Sequence, residues 1–491
     1  METDEYQIFK CSSCVAVYNA EQLHNNKMVC DVCKNKIDKN TICNLISDYL
    51  RKKYSILTMT DNENIYIYNK NEGIYERGEI VIHQEISNFE KIIQNNMPSE
   101  ILYKIKCKTY TKREELNPSK YLIVNNCVFD LDNFKKLEHS PEFKATNKIR
   151  IDYDANQKCE KIDKFIRDIV EEEYVDVIYE MIAYCLYPSL KYPAFYLLQG
   201  EGGNGKSKLM DLIEIFLGSE NVSCVSFQKI NGGFQLHNLY GKKANIFQDL
   251  SAEAIKEDSL IKPVSAGDKI SAEKKHKDSF DFRNTAKLIF SCNEIPQIKD
   301  MSDAFFRRLY FVPFPYTFDE TLKDKLNYKE GNPDILEEIS TKEELQGLLN
   351  VCLLYLHKIN KNKKLFYPLS FDEKKKLFDK TANPIKLFVE MNFVPMSAGE
   401  IAKIEIYDKY MEWCSERNIA ILDEVPFWKK FKQYSGNKYI SGNKISTENG
   451  RIYCIRGIAY NPEIYGKTEY EKCNRHYGSE GYNRAKRLSE L

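Results

Sequence analysis

The sequence predicts a multidomain α/β protein, and three observations carry that prediction. The chain has 491 residues, beyond the size at which one hydrophobic core keeps growing, so several domains are expected. Between residues 194 and 318 short apolar runs alternate with helical stretches, the mark of a parallel sheet flanked by helices. The first of those runs leads into Gly200-Glu201-Gly202-Gly203-Asn204-Gly205-Lys206-Ser207, the spacing of a phosphate-binding loop between strand and helix.

Composition narrows the class. Apolar residues make up 43% and charged residues 29%, an ordinary globular balance. The formal net charge is zero, with 72 basic and 72 acidic residues, so any polyanion must be met by local clusters. No apolar run approaches the roughly 18 residues that would span a bilayer. The polar start Met1-Glu2-Thr3-Asp4-Glu5 is unlike a secretory signal. No membrane contact and a cytoplasmic location are therefore expected.

Taken from the N-terminus, residues 1–40 are expected to form a zinc ribbon. Cys11, Cys14, Cys30 and Cys33 give C-x2-C-x15-C-x2-C; each pair can place two thiolates on one turn, and two such turns complete a tetrahedral Zn²⁺ site. Redox pairs are the alternative. His24 reads as a surface residue and the zinc as structural. The other eleven of the 15 cysteines are scattered singly and read as small buried apolar residues. Residues 41–155 form an α+β domain. Ile42, Leu45, Ile46, Tyr49 and Leu50 have helical spacing, 65–68 and 73–75 read as strand, turn and strand, and 121–130 as strand and turn. The apolar face of Ile162, Phe165, Ile166, Ile169 and Val170 then opens the motor domain, residues 156–320.

In that domain Gly200 and Gly205 let the backbone curl so that N–H groups point at phosphate oxygens. Gly202, Gly203 and Asn204 complete the cradle. Lys206 reaches the outer phosphates, and the Ser207 hydroxyl can hold Mg²⁺. Binding at the N-terminus of the helix over 209–217 is further favoured by its dipole. The nucleotide expected is ATP. The next apolar strand, 244–247, ends in Gln248-Asp249, where Asp249 can hold a Mg²⁺-bound water. A third ends before Asn293, which can orient the attacking water. Arg307 and Arg308 precede a fourth strand, and a guanidinium that reaches a neighbouring subunit's ATP would stabilise the transition-state charge.

This order of loop, acid-ended strand, Asn-ended strand and paired arginines resembles a superfamily 3 helicase of the phage, plasmid and large-virus primase-helicase group, the D5-like and P4-like proteins. The likeness extends to Leu260-Ile261-Lys262-Pro263-Val264-Ser265-Ala266-Gly267-Asp268 and to Glu273-Lys274-Lys275-His276-Lys277, similar to the hairpin that projects into the ring channel. Upstream, Asn125-Asn126-Cys127-Val128-Phe129-Asp130-Leu131 resembles the family's pre-motor domain, where a glycine is more usual than Cys127. The acids Asp130 and Asp132 fall in that stretch, so a polymerase-type metal pair is not read there. The resemblance spans roughly residues 45–460. It implies an AAA+-like motor in a homo-hexameric ring with ATP sites between subunits. Arg308 is then the first and Arg307 the second candidate for the trans-acting finger, and Lys274, Lys275, His276 and Lys277 grip one DNA strand by its phosphates. It also implies a replicative DNA helicase of a virus, provirus or plasmid, acting on single-stranded and forked DNA. The relatives' primase domain finds no counterpart here, so a separate primase or polymerase is the expected partner. One departure matters: the family usually ends its acidic strand with two adjacent acids, and here the first is Gln248. Asp249 then works alone or with Glu253, and an ATP-assembled origin-binding or loading protein without unwinding activity stands as the alternative.

Beyond the motor, residues 321–392 are expected to form a helical linker or bundle, with helices over 345–359 and 371–378. Residues 393–465 read as a winged helix: helices over 404–417 and 426–434, then two strands turning at Glu448-Asn449-Gly450. From Trp428 to the end 13 basic residues face 6 acidic ones, so helix and wing can rest on duplex phosphates. A protein-docking module fits the same pattern. Residues 466–491 are expected to be a flexible tail.

Overall fold

A computed structural model describes residues 9–10, 17–18, 38–90, 93–230, 235–250, 260–274, 277–296, 302–323, 327–382, 384–416, 421–435, 444–447 and 450–473. The expected zinc ligands Cys11, Cys14, Cys30 and Cys33, the hairpin tip Lys275 and His276, Glu253, and most of the expected tail lie outside the described residues. The chain divides into two compact units, Met1–Pro368 and Leu369–Leu491.

In the first unit β1 (Phe9–Lys10) pairs with β2 (Val17–Tyr18). Helix α1 (Lys39–Tyr54) begins where Asp38 accepts the Thr41 N–H at 2.9 Å, and its last turn carries Arg51, Lys52 and Lys53. Both ends thus satisfy the helix dipole and its unpaired backbone groups. There follow β3 (Ile56–Met59), β4 (Ile65–Asn69), β5 (Ile74–Arg77), α2 (Glu79–Ser87), α3 (Met97–Thr109) and β6 (Tyr110–Thr111). The four strands form one sheet in the order β5-β4-β3-β6. Ile42, Ile46 and Leu50 of α1 pack with Ile82, Ile86, Ile101 and Ile105 of α2 and α3 in one apolar core. A meander of β7 (Tyr121–Ile123), β8 (Val128–Asp130) and β9 (Lys135–Leu137) closes this part.

Two helices precede the motor sheet. In α4 (Glu160–Ile169) the buried residues are Ile162, Phe165, Ile166 and Ile169, the face read from the sequence. In α5 (Glu172–Leu186) nearly every residue after Glu173 is buried, because it runs through the core. The motor strands are β10 (Phe195–Gln199), β11 (Val222–Ser223), β12 (Ala244–Leu250), β15 (Lys287–Cys292) and β16 (Leu309–Pro313). They form a five-stranded sheet in the order β11-β12-β15-β10-β16, with every pairing parallel. A parallel sheet covered on both faces demands near-continuous apolar strands, and β15 is buried along its whole length. Helix α6 (Lys206–Leu217) follows β10, and α7 (Ile261–Ala266) precedes the antiparallel hairpin of β13 (Lys269–Lys274) and β14 (Lys277–Arg283). Helix α8 (Asp303–Arg308) runs directly into β16, and α9 (Lys342–Asn362) lies against α5, with Tyr179 and Tyr355 stacked at 5.4 Å. The described part is thus a multidomain α/β fold whose parallel sheet suits a phosphate-loop motor.

The second unit contains α10 (Phe371–Ala382), α11 (Pro384–Asn392), β17 (Phe393–Ala402), α12 (Lys403–Glu416), α13 (Glu424–Ser435), β18 (Lys444–Thr447), β19 (Gly450–Tyr460) and α14 (Pro462–Lys472). Its antiparallel sheet has the order β17-β19-β18. Phe388, Tyr410, Trp413, Phe427 and Phe431 form its aromatic core, with Tyr410 and Phe427 only 4.4 Å apart. Among the described residues no helix is long and apolar enough to cross a membrane. Of the eleven cysteines among the described residues nine are buried, and Cys107 and Cys224 are exposed.

Candidate nucleotide-binding site

The parallel sheet decides which residues meet. Strand β10 lies between β15 and β16, and β12 lies on the far side of β15. All four run the same way, so the carboxyl ends of β10, β15 and β12 open side by side, where ligands of open α/β sheets bind. The loop after β10, Asn293 after β15 and Asp249 near the end of β12 are therefore neighbours, although they span 94 positions in sequence.

The loop is tied down from two sides. The Gly200 N–H donates to the Cys292 carbonyl at 3.2 Å, and the Phe318 N–H donates to the Gly203 carbonyl at 2.7 Å. The Asn204 amide donates to the Phe314 carbonyl at 3.4 Å. A side chain at Gly200 would put its Cβ 2.0 Å from the Asn204 amide nitrogen, and Gly205 holds φ +84° with Ile169 2.5 Å from where a Cβ would sit. Neither position admits another residue without strain. Gly202 faces open space, which leaves the outer surface of the loop accessible to a phosphate. The α6 N–H groups point into that loop, and their partial positive charge suits an anion.

Lys206 opens α6 and turns back into the loop. Its ammonium donates to the carbonyls of Gly200 at 2.5 Å and Glu201 at 3.1 Å, to Asn204 Oδ1 at 2.9 Å and to Asn293 Oδ1 at 3.3 Å. Burial pulls its pKa down to about 8, against the opposing pull of the Cys292 thiol, Asp249 and Glu201. The same burial pushes the Cys292 thiol up to about 12, so it is a packing group. Asn293 continues the chain of contacts, its Nδ2 donating to Asp249 Oδ1 at 3.4 Å.

Asp249 reaches this position through a break in strand alternation. The register of β12 against β15 shifts between Phe247 and Leu250, and Asp249 sits in the left-handed region at φ +57°. The bulge turns its carboxylate out to solvent while its N–H donates to Ser291 Oγ at 3.2 Å. Gln248, beside it, donates from Nε2 to Asp211 Oδ1 on α6 at 2.9 Å. The exposed Ser207 hydroxyl and the exposed Asp249 carboxylate offer the hard oxygen donors that suit Mg²⁺.

Arg307 and Arg308 lie elsewhere. Leu309, which follows them, pairs with Phe195 at the start of β10, while Pro313 pairs with Gln199 at its end. At about 3.3 Å per residue this puts Leu309, which follows the arginines, roughly 13 Å along the sheet from the level of Gln199, where the loop begins. Arg307 is exposed. Arg308 is half-buried, donates to the Ala304 carbonyl at 2.8 Å, and has a buried Nε without a partner among the described residues.

Of the hairpin residues, Lys274 and Lys277 are the cross-strand partners beside its turn. The base of the hairpin is held by aromatic contacts that sequence reading missed. Tyr240 meets Phe280 and Phe282 edge-on at 5.7 and 5.6 Å, and the Arg113 guanidinium lies 4.4 Å from the Tyr240 ring and 4.9 Å from Phe280. Arg113 also donates to Asp61 at 2.6 Å. No spacing along the chain connects residues 61, 113, 240 and 280.

Comparison with known proteins matches three stretches of the chain. Residues 43–171 match the model described as "D5 N terminal like", residues 198–308 a "family of unknown function (DUF5906)", and residues 380–455 "Poxvirus D5 protein-like". The protein of Acanthamoeba polyphaga mimivirus named "Putative helicase L207/L206" is 27% identical over 323 residues, covering 61% of this chain and 33% of its own length. That of Invertebrate iridescent virus 6, "Putative helicase 184R", is 25% identical over 396 residues, covering 71% and 41%. The chain thus spans between a third and about two fifths of the length of these curated relatives. The apo structure of the NrS-1 C-terminal region aligns at 15% identity over 86% of this chain and 99% of that one, with a TM-score of 0.47.

Proposed function

The chain belongs to the D5-like primase-helicase group, and on that premise we propose that it is an ATP-dependent replicative DNA helicase of a virus, provirus or plasmid. The observation that carries this reading is the split of the site over one sheet. Lys206, Asn293 and Asp249 form a hydrogen-bonded row at the carboxyl ends of adjacent strands, while Arg307 and Arg308 stand at the other end of β16. A group there cannot serve its own loop. It suits the ATP of a neighbouring copy, which is the logic of a ring.

In this reading residues 200–207 cradle the triphosphate, and Lys206 exchanges loop carbonyls for phosphate oxygens. Mg²⁺ held by Ser207 and Asp249 would neutralise charge on the phosphates. Asn293, held between Lys206 and Asp249, orients the attacking water. Arg308, with Arg307 second, completes the site across the subunit boundary of a homo-hexamer. The hairpin with Lys274, Lys275, His276 and Lys277 grips single-stranded DNA by its phosphates. The order helix, strand, helix, helix, strand, strand from α11 to β19 supports a winged helix, and the cysteine spacing a zinc ribbon. The domain limits 1–40, 41–155, 156–320, 321–392, 393–465 and 466–491 belong to this proposal.

The test is strand displacement on a forked DNA with Lys206→Ala as the control. Displacement that requires ATP and disappears in the variant supports the helicase. ATP binding with slow hydrolysis, unstimulated by single-stranded DNA and without displacement, refutes it in favour of an ATP-assembled loading or origin-binding protein. Gln248, an amide where an acid is usual, is the observation that favours this second reading.

A further inference from the structure

We propose that Asp211 is a positioning residue that fixes Gln248 so that the Gln248 carbonyl oxygen takes the place of a carboxylate beside the magnesium-bound nucleotide. This rests on the reading of residues 200–207 as the ATP site. Asp211 lies on α6 four positions after Ser207, so the two share one face of the helix. Gln248 stands at the end of β12 immediately before Asp249, and the 2.9 Å bond from its Nε2 to Asp211 Oδ1 joins strand to helix.

The chemistry follows from what each group can do. A carboxylate only accepts hydrogen bonds, whereas a glutamine amide has a donor end and an acceptor end of nearly equal shape. Left unguided, the amide would turn its NH₂ toward the site as readily as its oxygen, and the donor end repels both a cation and the protons of its waters. Asp211 can take only the NH₂. The carbonyl oxygen is then the end turned away from Asp211, an acceptor for a metal-bound water or for the Ser207 hydroxyl. The negative charge is not lost but moved one side chain further from the metal. Both side chains are half-buried, so that charge is weakly screened. Such outer-shell partners typically govern metal affinity by about 10–100-fold.

The bulge in β12 makes the arrangement necessary. With φ +57° at Asp249 its carboxylate leaves the strand face and joins Asn293. It cannot also occupy the position of Gln248, so a second acceptor for Mg²⁺ or its waters would have to come from another residue.

The experiment measures binding, not turnover. The full chain is titrated with a fluorescent, non-hydrolysable ATP analogue in magnesium chloride and again in EDTA. The ratio of the two affinities is the readout. Asp211→Asn should lower that ratio by about tenfold. Gln248→Glu added to Asp211→Asn should restore most of it, because the carboxylate and its amide partner have then changed places. The rescue also separates the proposal from misfolding, since a misfolded variant would not regain magnesium dependence. An unchanged ratio in Asp211→Asn, or a loss that Gln248→Glu fails to restore, overturns the proposal. If the wild-type chain does not bind the analogue, or Lys206→Ala binds it equally well, the underlying ATP-site reading falls and this proposal falls with it.

Discussion

Lys206 carries four acceptors around one ammonium, and its pKa of about 8 would make the proposed nucleotide binding sensitive to alkali. Triphosphate oxygens favour the charged form, so the bound lysine titrates higher than the free one. Binding then takes up a proton above pH 8 and none below it. Affinity for ATP should stay level up to about pH 8 and fall by as much as tenfold per pH unit beyond. Titration of the fluorescent analogue between pH 7 and 9.5 checks this, and a pH-independent affinity would contradict it. Lys206 and Ser207 were legible in the sequence because the loop pattern fixes their neighbours. The Gln248–Asp211 pair was not, since it joins residues 37 positions apart that no local spacing relates.

At the scale of elements, Gly205 shows how loop and helix depend on each other. Gly205→Ala would place a Cβ against Ile169 of α4 in a left-handed conformation that costs about 1–2 kcal/mol for an L-residue. A lower melting temperature together with weakened analogue binding is the expected result. The Arg113 contact with Tyr240 and Phe280 ties the segment before β7 to the base of the β13–β14 hairpin. Arg113→Ala should destabilise the first unit by about 1–3 kcal/mol, since a desolvated cation–π contact and the ion pair to Asp61 both go. Arg113→Lys should recover only part, because the ammonium lacks the planar face that lies over two rings. Urea titration distinguishes the two. Amphipathic α4 was read directly from its spacing, whereas α5 escaped. A helix buried nearly all round has no polar face to mark its period.

For the whole molecule, the second unit has its own aromatic core, and residues 369–473 expressed alone should unfold cooperatively in urea. A non-cooperative transition would show that the core is insufficient. The ring is tested by mixing Arg308→Ala with Lys206→Ala subunits. If each variant is inactive alone, mixed rings should regain part of the ATPase, since a wild-type loop can meet a wild-type arginine across a boundary. Activity no greater than the sum of the separate variants would place the arginine in cis or outside the site. By itself the sequence determined the glycine-rich loop between strand and helix, the strands that end near Asp249 and Asn293, the helix face of α4 and the family resemblance. These are local patterns whose spacing is the chemistry itself. Only the tertiary structure decided which strand ends meet, that the β12 bulge turns Asp249 toward Asn293, that Asp211 holds Gln248, and that Arg308 stands away from its own loop. Those outcomes depend on parallel strand order and register, which arise from packing between distant segments.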